Sequence, residues 1–275
     1  MSNNSVSIAQ AKRTLISCFN SSPRTFRPLL QGAPGTAKTS LVEQVTKDIG
    51  YEHFETVILS QMTPEHITGY PYVVDGEMRY ARPTWWPTKP KTVVFFDEIG
   101  QCPMAVQNVA MQIIHERRVG PHVLPDDCIV IAAGNRAEDR AGSTVMQTAL
   151  RTRFFPVLTV EPTKDEWCDH ATETGFNPFV IAWVRAVRHN VLDFDPREKG
   201  GFVSPRTLEQ AGHLMTAFND DPENPDLVAS LYGVLGDRDA SQFLAFVKTV
   251  CRMPAYDEIR TQPLSAAVVE DMTDA

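Results

Sequence analysis

Residues 32–39 read GAPGTAKT, and this glycine-containing loop lies between two segments of different character. The apolar run RPLLQ (27–31) precedes it, and SLVEQVTKDIG (40–50) follows with apolar residues at helical spacing. Gly50 ends that pattern as a helix stop. A strand, a tight loop and a helix in this order predict a parallel α/β sheet that binds its ligand at the carboxyl edge of its strands.

The residue types in this loop suit a phosphate group. Gly32 and Gly35 permit a tight turn and Pro34 stiffens it, so backbone N–H groups converge at the positive end of the helix that follows. Lys38 would reach the β- and γ-phosphates of a nucleotide, and Thr39 would place its hydroxyl on Mg²⁺. The alternative is a loop of small residues with a solvated lysine.

One position departs from the strict pattern, which has glycine directly before the lysine. This chain has Ala37 there. Because alanine adds one methyl group and is comfortable at the start of a helix, we expect the departure to be tolerated.

Further apolar runs alternate with helical patterns up to residue 160. Continuous apolar strands separated by helices predict a parallel sheet covered on both faces, here with five strands. After RPLLQ, the predicted strands are FETVILS (54–60), TVVFFDE (92–98), CIVIAAGN (128–135) and FFPVLTV (154–160).

Two segments interrupt this alternation. The first, about 62–88, contains Asp75-Gly76 between extended runs, which predicts a β-hairpin. The second, 117–127, is predicted to form a shorter hairpin or loop. After Pro162 the strand signal ends, so we predict an α/β domain over 1–161 and a small all-helical domain over 162–275 with a short acidic tail.

Two adjacent carboxylates end the apolar run TVVFF. Such a pair is costly beside a buried strand unless it acts at the edge where α/β ligands bind. Asp97 would hold a metal ion through its water shell, and Glu98 would orient the attacking water. Asn135 ends the next apolar run and could hold the same water, although an asparagine there is also a common turn former.

Three arginines are candidates for neutralising charge on a transferring phosphoryl group. Arg151 and Arg153 come directly before the last predicted strand, and Arg206 begins a helical pattern in the second domain. Arginine can act on a neighbouring subunit's nucleotide in this way. The alternative for each is a surface charge or a local salt bridge.

Composition argues against some classes of function, although only weakly against a local basic surface such as the inside of a pore. The net charge of −8 gives no overall basic surface for nucleic acid or anionic membrane. The five cysteines show no metal-ligand spacing, which favours a reduced, cytoplasmic chain. We find no apolar signal core and no run of about 20 apolar residues, so no membrane association is expected.

The series GAPGTAKT, VVFFDE, AAGNR, LRTRF and SPRT, in this order, resembles an AAA+ ATPase. The hairpin insert before the DE strand is similar to that of the MoxR branch. GNRAEDRAG followed by ALRTRF is similar to small members that act with a companion bearing a von Willebrand factor A-like (VWA) domain. The resemblance is strongest over residues 28–160 and looser through the helical domain.

The resemblance implies a P-loop NTPase fold with a helical lid, ATP and Mg²⁺ as ligands, and a homo-oligomeric, commonly hexameric, ring. It implies Thr39 and Asp97 at the metal, Glu98 and Asn135 (sensor 1) at the attacking water, and Arg206 as sensor 2. Arg153 is implied as the finger acting in trans, with Arg151 as the alternative. The implied nucleotide-binding residues are Gly32, Ala33, Pro34, Gly35, Thr36, Ala37, Lys38, Thr39, Ser40 and Asp97.

Three functions fit these residues. The first is an ATP-hydrolysing ring that remodels or matures a partner protein or complex. The second is a nucleic-acid motor or loader, for which the adjacent pair Arg117-Arg118 is thin support. The third is a nucleotide-gated assembly switch with little turnover. In the first, the insert would grip a client or pack on the sheet domain through Tyr70, Tyr72, Arg79, Tyr80, Arg82, Trp85 and Trp86.

Overall fold

A computed structural model of the chain describes residues 5–136, 146–195, 197 and 200–253. The chain divides after Thr163 into two compact units, and the short stretch Asp195–Arg197 belongs with the first. The predicted acidic tail lies outside the described residues. None of the helices in the described part of the chain is both long and apolar enough to cross a membrane.

The first unit contains strands and helices in alternation. Its strands are β1 (Ser5–Val6), β2 (Leu29–Gln31), β3 (His53–Ile58), β4 (Pro71–Val74), β5 (Glu77–Tyr80), β6 (Thr92–Asp97), β7 (Arg118–Val119), β8 (His122–Val123), β9 (Ile129–Gly134) and β10 (Val157–Val160). Its helices are α1 (Ile8–Ser21), α2 (Lys38–Asp48), α3 (Pro64–Thr68), α4 (Met104–Glu116) and α5 (Thr148–Arg151).

Six of these strands form one parallel sheet in the order β1-β10-β2-β9-β6-β3. The predicted fold class is confirmed, with one strand more than the five expected. The additional strand, β1, pairs Ser5 with Thr159 and Val6 with Val160 at the edge of the sheet. Two residues are too few to produce a periodic pattern, so the sequence did not reveal this strand.

Both faces of the sheet are covered, as continuous apolar strands require. Along β6, Val93 and Phe95 pack in the cluster that includes residues of α1 and α2. The alternate residues Val94 and Phe96 pack in the cluster that includes α4. Because successive side chains of a strand point to opposite faces, one apolar run contributes residues to the hydrophobic clusters on both faces of the sheet.

The two interrupting segments are antiparallel hairpins. Asp75 and Gly76 join β4 to β5, and both have positive φ (53° and 77°), as a two-residue hairpin turn requires. The predicted hairpin is therefore confirmed. Its outer part is exposed, with Val73 at 73% and Met78 at 63% of their accessible area.

Helices make up most of the described second unit, as predicted, and an isolated antiparallel bridge between Asp193 and Val203 lies in the segment that joins two of them. Its buried cluster is built around Trp183, which lies beneath the guanidinium of Arg188 at 5.5 Å from the ring centroid. Arg188 also forms a buried ion pair with Asp239. The helices are α6 (Lys164–Glu173), α7 (Pro178–Ala186), α8 (Pro205–Ala217), α9 (Pro225–Leu235) and α10 (Asp237–Arg252).

Candidate nucleotide site

The sheet order brings the candidate residues of the first unit to one edge. Strands β2, β9 and β6 are consecutive neighbours and run parallel, so their carboxyl ends meet. The GAPGTAKT loop follows β2, Asp97 ends β6, and Asn135 follows β9. This edge is where parallel α/β sheets bind ligands.

Lys38 lies over the loop that precedes it. Its ammonium donates to the carbonyl oxygens of Gly32 at 2.9 Å and Ala33 at 3.0 Å. The loop also closes on itself, since the Thr36 hydroxyl donates to the Ala33 carbonyl at 2.9 Å. Gly32 has no room for a side chain, because a Cβ there would lie 2.8 Å from the backbone oxygen of Val160.

Ala37 is not in the helical conformation that we expected from its place at the start of α2. It is the N-cap residue and adopts the left-handed conformation, with φ 60° and ψ 28°. A side chain there costs about 1–2 kcal/mol because Cβ approaches the next carbonyl oxygen. The expectation that alanine is comfortable at this position was therefore wrong, and the glycine of the strict pattern has a conformational reason.

Replacing Ala37 with glycine is expected to stabilise the protein by about 0.5–1 kcal/mol, which is the relieved strain less the greater freedom of glycine in the unfolded chain. The free energy of unfolding in urea measures the effect. Ala105→Gly is the matched control, because Ala105 is exposed in the first turn of α4 and glycine there should not stabilise the protein. Destabilisation by Ala37→Gly would contradict the left-handed assignment.

Thr39 and Asp97 meet at this edge from different elements. The Thr39 hydroxyl donates to Asp97 Oδ2 at 3.4 Å, and Asp97 Oδ1 accepts the backbone N–H of Glu98 at 2.8 Å. Burial raises the pKa of the Asp97 carboxyl, and the positive charge of Lys38 partly opposes that rise. A proton therefore competes with a cation for Asp97 at a higher pH than for an exposed aspartate.

Glu98 turns away from the strand in the left-handed conformation, with φ 58°. Its carboxylate accepts a short hydrogen bond from the Ser60 hydroxyl. Sequence reasoning missed Ser60. The contact depends on the register of β3 against β6, which places Ile58 beside Asp97 and so brings the residues just beyond them together. No single segment of the sequence encodes that register.

Asn135 directly follows β9 and is half-buried. The next residue, Arg136, forms an ion pair with Glu161 at 2.9 Å, which ties the end of β9 to the end of β10. The roles of Asn135 and of the other site residues stay predictions. Residues 137–145, which include most of the GNRAEDRAG segment, lie outside the described residues.

The two arginines before β10 differ in their surroundings. Arg151 ends α5 and is exposed, whereas Arg153 is half-buried and donates to the Ala149 carbonyl within that short helix. Arg206 is in the second unit, exposed in the first turn of α8, between Ser204 and Thr207, which form the capping box of that helix. The geometry leaves the choice between Arg151 and Arg153 open.

The family model for the AAA domain (dynein-related subfamily) matches residues 28–154. That range contains the phosphate loop, the DE pair, Asn135 and both arginines before β10. No curated protein matches the chain.

Solved structures give the same fold. A RuvB variant from Thermotoga maritima superposes with a TM-score of 0.51 at 14% identity, over 82% of this chain and 67% of that one. NtrX from Brucella abortus, in complex with ADP, superposes with a TM-score of 0.50 at 15% identity, over 96% of this chain and 56% of that one. This chain thus spans little more than half the length of NtrX. The fold is that of an AAA+ P-loop NTPase domain.

Proposed function

We propose that this chain is an ATPase that works in a ring, similar to the MoxR branch, and couples ATP turnover to the remodelling or maturation of a partner protein. The observation that carries the proposal is the convergence of the phosphate loop, the DE pair and Asn135 at one edge of the sheet.

The loop suits the phosphates of a nucleotide. The first amides of α2 have no carbonyl partner within their own helix, as at any helix start, and they lie at its positive end. Gly32 packs so closely that only a bare backbone fits, and Gly35 has φ 77°. The Lys38 ammonium donates to two loop carbonyls in this structure, and it would donate to the phosphate oxygens of a bound nucleotide instead.

The donor atoms beside the loop suit Mg²⁺. Hydroxyl and carboxylate oxygens are the ligands that this ion prefers, and those of Thr39 and Asp97 already lie 3.4 Å apart. Bound with a nucleotide, Mg²⁺ would neutralise charge on the phosphate oxygens. Asp97 would act through a water of the ion's shell, and its raised pKa predicts weaker metal binding as the pH falls toward that pKa.

The remaining site residues would act on the attacking water and on the transferred group. Glu98 would take up the water's proton and Asn135 would orient the water. An arginine from the neighbouring subunit, Arg153 or Arg151, would stabilise the developing charge, and Arg206 would sense the nucleotide from the helical unit, the proposed lid. Each role follows from the residue's chemistry and the resemblance.

A protein partner is favoured over nucleic acid by the hairpin surface. The exposed side chains of β4 and β5 include Tyr72, Val73 and Met78, which are apolar or aromatic. The positive charge of Arg79 lies 3.8 Å from the carboxylate of Glu77. Such a surface suits apolar contact with a protein and offers little to a phosphate backbone. A companion with a VWA domain is proposed from the resemblance.

The test is the ATPase rate per subunit against protein concentration, with and without Mg²⁺, alongside mass by light scattering in the presence of ATP. We expect a Mg²⁺-dependent rate that rises steeply as a ring forms, because each site would need a neighbour's arginine. A concentration-independent rate from a monomer would overturn the ring. Stimulation by DNA that is lost at high salt would favour a nucleic-acid motor instead.

A further inference from the structure

Four rings form a continuous series that begins at the strand carrying Asp97. Phe96 precedes Asp97 in β6, and its ring centroid lies 5.8 Å from that of Trp85 in an edge-on arrangement. Trp85 lies 5.3 Å from Trp86, and Trp86 lies 5.7 Å from His122 in β8. Phe96 is fully buried and Trp86 is 5% exposed, whereas Trp85 and His122 are half-buried, so the series runs from the interior of the first unit towards its surface.

The series also reaches the base of the first hairpin. The indole N–H of Trp85 donates to the His66 carbonyl in α3 at 3.1 Å, and the His66 ring lies 5.9 Å from that of Tyr70. The backbone carbonyl of Tyr70 accepts a hydrogen bond from the backbone N–H of Ala81 at 2.9 Å, which closes the hairpin. Trp85 is therefore joined both to β6 and to the residue that leads into β4.

The second hairpin packs against the base of the first. Gly69 has φ 90°, and a Cβ there would lie 1.9 Å from the Ala81 carbonyl oxygen and 3.4 Å from His122 Nε2. Burial and the positive charge of Arg82 lower the pKa of His122, so its ring is neutral at neutral pH. A neutral ring packs against Trp86 without the cost of burying a charge.

We propose that Trp85 and Trp86 are positioning residues that couple the strand ending in Asp97 and Glu98 to both hairpins. A change at the nucleotide site moves the end of β6, and the ring series passes that displacement to the hairpins. Binding of a partner to the hairpins displaces Glu98 through the same rings, because coupling between two sites is reciprocal. The inference rests on the proposed function and assigns a route of regulation to that site.

Close packing is the physical basis of the coupling. Large rings in direct contact cannot absorb a shift of their neighbour by deforming, so they move together or change rotamer. The hydrogen bond from the Trp85 indole to the His66 carbonyl also fixes the orientation of the Trp85 ring relative to α3. Removing the Trp85 ring would remove the contacts that join Phe96 to Trp86 and to His66.

Amide hydrogen exchange with a slowly hydrolysed ATP analogue and Mg²⁺ tests the inference without a client. In the wild-type protein we expect exchange to slow by about threefold or more both in the loop, 32–40, and in the two hairpins, 70–81 and 118–124. Lys38→Ala supplies the background, because it should bind no nucleotide. Absence of protection in the loop would contradict the proposed function, whereas a protected loop with unchanged hairpins would overturn the coupling alone.

Substitutions of Trp85 distinguish a loss of coupling between the nucleotide site and the hairpins from a loss of folding. Trp85→Leu should keep the nucleotide-dependent protection of 32–40 and lose that of both hairpins, with kcat changed by about fivefold or more and the nucleotide Kd unchanged. Trp85→Phe is the matched control, since it retains a ring and should retain most of the hairpin response. Full hairpin protection in a folded Trp85→Leu protein would overturn the inference.

His122→Ala keeps the test decisive if Trp85→Leu does not fold, because it removes only the last ring of the series. We expect it to abolish the nucleotide-dependent protection of 118–124 while that of 70–81 persists. An unchanged response at 118–124 would overturn the coupling to the second hairpin.

Discussion

The Glu98→Gln protein is expected to bind Mg²⁺ and ATP as the wild type does and to hydrolyse ATP at least about 100-fold more slowly. Glutamine retains the shape of the side chain, and its amide oxygen can still accept the Ser60 hydrogen bond that glutamate accepts in the structure. It cannot take up a proton from water. The substitution therefore removes the group that accepts the proton and retains the local structure.

Phosphate release gives kcat, and the fluorescence of a labelled ATP analogue gives Kd. Glu43→Gln is the matched control, because Glu43 is exposed on α2 and the same atoms are changed outside the site. Its rate should equal that of the wild type. If Glu98→Gln hydrolysed ATP at the wild-type rate, the assignment of the water-directing residue would be wrong.

Much of the fold could be predicted because its signals are local. Each sheet strand of three or more residues has an apolar run of its own, and Asp75-Gly76 specifies its turn through the sign of φ. The meeting of the phosphate loop with Asp97 and Asn135 could be predicted too, since parallel strands deliver their carboxyl ends to one edge. What these residues do there stays a prediction.

The features that could not be predicted depend on conformations and contacts that no single segment encodes. Nothing in the sequence fixes the sign of φ at Ala37 or Glu98, because both residue types are usually right-handed or extended. The contact between Ser60 and Glu98 depends on the register of two strands separated by the whole first hairpin. The pairing of β1 with β10 joins residues more than half the chain apart.

The Arg153→Ala protein is expected to form rings and bind ATP, with kcat lowered by about 1,000-fold or more, as for the loss of an arginine that acts on the transition state. Arg151→Ala is the matched control and the decisive comparison. Both arginines flank Thr152, but Arg151 is exposed, whereas Arg153 donates to the Ala149 carbonyl of α5. A large loss from Arg151→Ala and a small one from Arg153→Ala would exchange the two roles.

Mixed rings decide whether Arg153 acts in trans. A subunit with Arg153→Ala keeps an intact Glu98, and a neighbour with Glu98→Gln keeps an intact arginine, so an active site can form between two variants that are inactive alone. Random mixing in equal amounts should restore about a quarter of the wild-type rate, the share of interfaces with that pairing. Mixing either variant with the double variant Glu98→Gln/Arg153→Ala should restore none. If the two single variants also restored none, Arg153 would act within its own subunit, and each site would be complete without a neighbour.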